Sequence, residues 1–168
     1  MDFLTWGHSL IQTFGYLGLA IVNLVGSATI FFPLPIAAIV FISGGFLNPW
    51  LVALFAAIGC TFGELTGYGL GKGGGKVLEK YKKGWRVGRS LRLGEKWFKR
   101  GRGFFCIFFF AATPLPYDVV GVLGGMFNYN IKKFILASFL GKWIMNLALA
   151  FGGFYGINWI LNIFKFSL

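Results

Sequence analysis

Residues 59–76 read Gly59-Cys-Thr-Phe-Gly63-Glu64-Leu-Thr-Gly67-Tyr68-Gly-Leu-Gly71-Lys72-Gly-Gly-Gly75-Lys76 and follow an apolar run. Gly59, Gly63, Gly67, Gly71 and Gly75 recur every fourth residue. On a helix that spacing makes one smooth stripe along which a second backbone can approach closely. Glu64, Tyr68 and Lys72 share the neighbouring face at the same spacing. A carboxylate in an apolar helix is costly unless it meets a partner or a water-filled cavity. The stretch therefore predicts a packed transmembrane helix that offers one ionisable group to the protein interior.

The rest of the chain agrees with a membrane setting. It is 57% hydrophobic and 20% aromatic, too apolar for a soluble domain of 168 residues to bury. The apolar runs are 10–32, 34–47, 50–62, 104–127, 134–151 and 153–164, and one polar segment, 72–103, separates them. That segment carries twelve of the sixteen Lys and Arg against Glu79 and Glu95, so nearly all of the net charge of +11 lies there. Charge confined to one inter-membrane loop follows the positive-inside bias, and nucleic acid is not expected as a partner. Cys60 and Cys106 stand alone in apolar surroundings, so neither a metal site nor a disulfide framework is expected. The N-terminus lacks a cationic start, so its first apolar stretch is expected to stay as an anchor.

Residues 10–32 are long enough for one crossing. Pro33 and Pro35 then break the helix, because each lacks an N–H and restricts its predecessor. The run from Ile36 to Phe46 is too short to cross and ends at Ser43-Gly44-Gly45, as one limb of a re-entrant hairpin. Asn48-Pro49-Trp50 starts the next helix. Residues 76–102 space apolar side chains among cations, as a surface helix would. Pro114 and Pro116 repeat the break, and a short run ends at Leu123-Gly124-Gly125-Met126-Phe127-Asn128. Residues 134–151 span, with Lys142 and Asn146 one turn apart; Gly152 and Gly153 turn the chain into a shorter last helix.

The halves correspond. Pro33-Leu34-Pro35 answers Pro114-Leu115-Pro116, Gly44-Gly45 answers Gly124-Gly125, Asn48 answers Asn128, and Gly63-Glu64 answers Gly141-Lys142. The prediction is one all-α, polytopic integral membrane domain over 1–168, an inverted-topology repeat with two proline-broken re-entrant hairpins. Half one is about 10–71, the basic cytoplasmic segment 72–103 and half two about 104–166. With that segment cytoplasmic, the halves enter from opposite sides of the cell membrane and both termini lie inside. Inverted repeats with broken helices are carrier architecture, with the site near the midplane.

The proline-broken hairpins, the stretch from Gly59 through Gly63-Glu64, Tyr68, Gly71-Lys72 and Gly75, and the Gly124-Gly125-Met126-Phe127 turn with Phe134 and Gly141 beyond it resemble the DedA family, also called the VTT or SNARE-associated Golgi protein family. Thr113-Pro-Leu-Pro-Tyr-Asp118 looks like its small prokaryotic YqaA-like subgroup. Many members carry Glu after the first proline turn and Phe-Gly-Arg near the second hairpin; here those places read Pro35-Ile36-Ala37 and Phe110-Ala111-Ala112-Thr113. The resemblance implies lipid translocation.

The expected transport residues are Glu64, Tyr68, Lys72, Asp118, Lys142 and Asn146, lining a groove for a lipid headgroup. Protons are a candidate coupling ion. No cofactor, metal or catalytic group is expected, and the chain does not read as an enzyme: the Gly69-x-Gly71-x-x-Gly74 match follows a membrane helix rather than a strand, and the single histidine, His8, leaves no triad. The rival readings are a proton- or ion-coupled carrier of small solutes and a scaffold that does not transport. The glycine stripe can pack internally or in a homo-oligomer, and internal packing is favoured.

Overall fold

A computed structural model describes residues 14–28, 36–81, 98, 102–115 and 117–165, with side chains from 36 to 74 and up to 156 in the second and last of the long stretches. Pro33, Pro35, Pro116, the basic stretch 82–97 and the N-terminal residues lie outside these. All regular structure among the described residues is helical: α1 (Tyr16–Ala28), α2 (Ile36–Phe46), α3 (Pro49–Tyr81), α4 (Gly103–Ala112), α5 (Tyr117–Met126) and α6 (Ile131–Lys165). Two stretches, Pro49–Gly74 in α3 and Ile131–Gly156 in α6, are long and apolar enough to cross a membrane. Each has 26 residues, or about 39 Å of helix, against roughly 30 Å of hydrocarbon.

Both long helices begin the same way. The Asn48 side-chain oxygen accepts from the Trp50 N–H at 3.0 Å, and Pro49 takes the first helical position, where its missing donor costs nothing. Asn130 caps α6 likewise, accepting from the Lys132 and Lys133 N–H groups at 3.0 and 3.2 Å. The sequence pairs Asn48 with Asn128, but the capping role falls two residues later. Asn128 instead sits at φ 49°, just past α5, and the Tyr129 N–H reaches back to the Gly124 carbonyl at 2.9 Å.

The chain divides into two compact units, residues 1–63 with 142–168 and residues 64–141. The divisions fall at Gly63/Glu64 and Gly141/Lys142, the two positions that the sequence places in correspondence. In the first unit, Leu19, Val22, Ile39, Val40, Val52, Ala56 and Ala150 form the core. Here α1 lies against α3, where a Cβ on Gly59 would run into the Ala20 carbonyl and one on Gly63 would lie 3.0 Å from the Ala28 nitrogen. The α2 helix lies against α6, with Gly44 on the Ala150 backbone and Gly153 on the Phe41 carbonyl.

The second unit repeats this pattern around an aromatic core that includes Tyr68, Phe98, Ile107, Tyr117, Phe127 and Phe134. The α4 helix meets α6 at Gly141, whose Cβ would lie 2.6 Å from the Phe108 carbonyl oxygen. The α5 helix meets α3 through Gly125, against the Tyr68 carbonyl, and through Gly71, against Val122. In each unit a short helix, α2 or α5, therefore rests, through glycine, on the second half of a long helix.

Gly44 and Gly45 lie in the last turn of α2, which ends at Phe46, and Gly124 and Gly125 in the last turn of α5, which ends at Met126. One expectation changes: Gly152 and Gly153 do not turn the chain, because α6 runs unbroken to Lys165. Glycine lowers helix propensity by about 1 kcal/mol, but contact with a neighbouring backbone is closed to any residue with a Cβ.

Candidate functional site

The sequence-derived polar residues divide between the units. Glu64, Tyr68, Lys72 and Asp118 belong to the second, Lys142 and Asn146 to the first. In the second unit, Glu64 is 5% exposed. It sits on α3 at a junction with α5 and α6, marked by Gly121. A Cβ there would lie 3.9 Å from the Glu64 carbonyl oxygen, 3.9 Å from the Tyr117 ring and 4.0 Å from the Phe134 ring. These are ordinary van der Waals distances, so Gly121 simply marks where the Glu64 backbone and the Tyr117 and Phe134 rings come near one another.

One turn along α3, buried Tyr68 donates its hydroxyl to the Tyr129 carbonyl at 2.6 Å, and its ring packs 5.0 Å from that of Phe134. This bond ties α3 to the turn between α5 and α6. Lys72, a further turn on, is exposed. Asp118 is half-buried in the first turn of α5, where a carboxylate complements the helix dipole.

The sequence analysis missed Tyr117 and Ser138. Both are buried and their hydroxyls are hydrogen-bonded to each other. Ser138 also donates to the Phe134 carbonyl at 2.8 Å. Tyr117 stands beside Asp118 in the proline motif, and only its place on the buried face of α5 separates the two. Ser138 carries no local signal, being one small residue inside an apolar run.

In the first unit, Lys142 is half-buried and Asn146 is 4% exposed. Among the described residues the Asn146 side-chain nitrogen has no hydrogen-bond partner. On α1, fully buried Asn23 donates to the Leu19 carbonyl at 2.8 Å and accepts from the Cys60 thiol at 3.5 Å, while Ser27 reaches the Cys60 carbonyl at 3.2 Å. These bonds reinforce the contact between α1 and α3. The same unit holds an open cleft of ≈ 430 Å³ lined by Phe46, Asn48, Trp50, Phe151, Phe154 and neighbours. It contains none of the six residues expected to line a transport groove.

Many large apolar side chains face outward, including Phe62 and Leu70 on α3, Phe105 and Phe109 on α4, and Leu136 and Ile144 on α6. A soluble monomer rarely exposes so many, whereas a lipid-facing surface requires them. The fold thus defines an all-α class of protein with two membrane-length helices and a carboxyl buried on one of them. The chain belongs to the VTT domain family, the domain of the DedA and SNARE-associated Golgi proteins, which matches residues 34–155. The family and the two apolar helices together mark it as a membrane protein. Its relatives include an "alkaline phosphatase-like protein" in each of two Lactococcus lactis subspecies, lactis and cremoris. Each is 30% identical over 165 residues, covering 89% of this chain and 75% of the relative. An uncharacterized protein of Methanocaldococcus jannaschii is 30% identical over 140 residues, covering 81% of this chain and 82% of its own. No solved structure matches the chain.

Proposed function

We propose that this protein moves lipids between membrane leaflets, as a flippase or scramblase of phospholipids or polyprenyl phosphates. The observation that carries the proposal is Glu64, a carboxyl buried within a helix of membrane length. Ionisable side chains at such depth are costly and mark substrate or ion pathways. Lys142 and Asn146 add donors on the other long helix, suited to phosphate and ester oxygens. Lys72, Tyr68 and Asp118 extend the polar positions along α3 and α5. In this reading the protein is a multi-pass cell-membrane protein of inverted-repeat topology, with the basic segment and both termini cytoplasmic. Its partners are membrane lipids, with protons as the candidate coupling ion.

The test is transfer of fluorescent phospholipid between leaflets of proteoliposomes. Glu64→Gln keeps the shape of the side chain and removes its charge. Lys142→Gln removes a positive charge from the other long helix. Each should lower the rate at least tenfold, a loss of about 1.4 kcal/mol or more, in protein that remains folded. Wild-type rates in both variants would end the site assignment. No transfer by the unmodified protein, on zwitterionic and anionic lipids and with a proton gradient, would end the lipid reading in favour of a solute carrier or scaffold. The Lactococcus relatives' name brings in phosphate-ester hydrolysis as well. Transport is preferred because Glu64 is buried within a helix of membrane length. Phosphate release from a monoester by the pure protein would reverse that preference.

A further inference from the structure

We infer that the end of the second unit around Tyr129 is a docking surface for anionic membrane lipid, with Lys72, Arg102, Lys132 and Lys133 holding the lipid phosphate. These cations come from three separate stretches of chain, and the fold gathers them. Tyr68 donates its hydroxyl to the Tyr129 carbonyl at 2.6 Å, which fixes α3 to the turn before α6. One turn beyond Tyr68, the Lys72 backbone lies against the last turn of α5, where a Cβ on Gly125 would come 2.7 Å from the Lys72 nitrogen. Phe98 brings in the third stretch. It is buried, with its ring 5.7 Å from that of Tyr129 and 5.5 Å from that of Phe127. Gly103 closes the junction, because a Cβ there would lie 2.9 Å from the Tyr129 ring. Arg102 and the start of α4 are thereby set beside the turn from which Lys132 and Lys133 follow.

All four cations are exposed, and none has a carboxylate partner among the described residues. The described carboxylates of the unit stand elsewhere: Glu64 is about two turns back along α3, and Asp118 is at the opposite end of α5 from Gly125. In sequence, Lys96, Lys99 and Arg100 flank Phe98 against Glu95. Lys132 and Lys133 occupy the first turn of α6, which has no acidic residue. The helix dipole disfavours cations there, so an external anion relieves both that cost and the mutual repulsion of the cluster. Position selects lipid as the source of the anion. Lys72 stands near the end of the membrane-length stretch of α3, and Lys132 and Lys133 at the beginning of that of α6. Lipid phosphates lie at such boundaries, and basic side chains there attract anionic headgroups.

The surface rests on the charge and geometry of the second unit in its membrane setting, not on lipid transfer. Native mass spectrometry of the purified full chain, offered phosphatidylglycerol and phosphatidylcholine in equal amounts, reads the preference directly. The unmodified protein should retain phosphatidylglycerol. The substituted side chains are exposed, so the variants should fold. Lys132→Gln with Lys133→Gln should weaken phosphatidylglycerol binding roughly tenfold or more and leave phosphatidylcholine unchanged; Arg102→Gln should weaken it severalfold. Lys132→Arg with Lys133→Arg keeps the charge and should bind as the unmodified protein does. The control is Lys82→Gln with Lys83→Gln, which removes the same charge from the basic segment; its preference should survive. Equal losses in the two glutamine doubles would overturn the inference, because attraction would then follow net charge rather than this cluster. An unmodified protein without the preference would overturn it as well. Retained phosphatidylglycerol, lost in Lys132→Gln with Lys133→Gln, in a protein that moves no lipid would uphold the docking surface and refute lipid transport.

Discussion

Gly125→Ala should loosen the second unit far more than its small size suggests. The added Cβ would run into the Tyr68 carbonyl and lie 2.7 Å from the Lys72 nitrogen. Both are backbone atoms of α3, so no side chain can swing aside, and α5 must back away. Overpacking of this kind costs about 1–3 kcal/mol. Retreat of α5 also pulls on the turn that supplies the Tyr129 carbonyl, and weakening its 2.6 Å bond from Tyr68 costs about 1 kcal/mol more. Alanine is the better helix former by about 1 kcal/mol, so a second glycine provides the reference. Gly69 lies on α3 with nothing within 4 Å of a built Cβ. Gly69→Ala should be neutral or stabilising, and the propensity gain cancels in the comparison. The expected difference between the two variants is roughly 2–4 kcal/mol, or roughly 4–16 °C in Tm at this chain length. Thermal unfolding in one detergent, followed by circular dichroism, measures it. Equal midpoints for Gly125→Ala and Gly69→Ala would refute close backbone contact between α3 and α5.

The same reasoning extends to other positions. Asn48→Ala and Asn130→Ala each remove a helix cap and should cost about 1 kcal/mol in the same melt, with Asp at either position recovering most of the loss. Gly153→Leu should destabilise the first unit strongly because it faces the Phe41 backbone, while Gly73→Ala, in open space, should be silent. Tyr68→Phe removes the donor to the buried Tyr129 carbonyl and should cost about 1–3 kcal/mol without altering the aromatic core; an unchanged midpoint would show that bond to be dispensable. Burial raises the Tyr129 phenol above its ordinary value of 10.0. The fold therefore favours its neutral form, and that contribution is complete below pH 10 and fades as the pH rises through the folded value. Tyr129→Phe should then flatten the alkaline end of the stability curve.

The sequence alone determined the start of α3 and the break after α4. Pro49 behind Asn48, the Thr113-Pro114 break and the uninterrupted apolar run into α3 are local signals, because capping and the loss of an N–H act within a few residues. It also marked Gly63/Glu64 and Gly141/Lys142 as matching positions, and the two compact units divide there. Tertiary structure decided what the glycines do. Gly153 looks like a breaker by propensity, yet α6 runs on through it because the Phe41 backbone occupies the space of its missing Cβ. Which backbone comes that close is not written within reach of the residue. The buried site divides along the same line. A carboxyl in an apolar helix is conspicuous in any sequence, so Glu64 was legible. Ser138 was not, because a lone serine in a greasy helix acquires a partner only when α5 brings Tyr117 beside it.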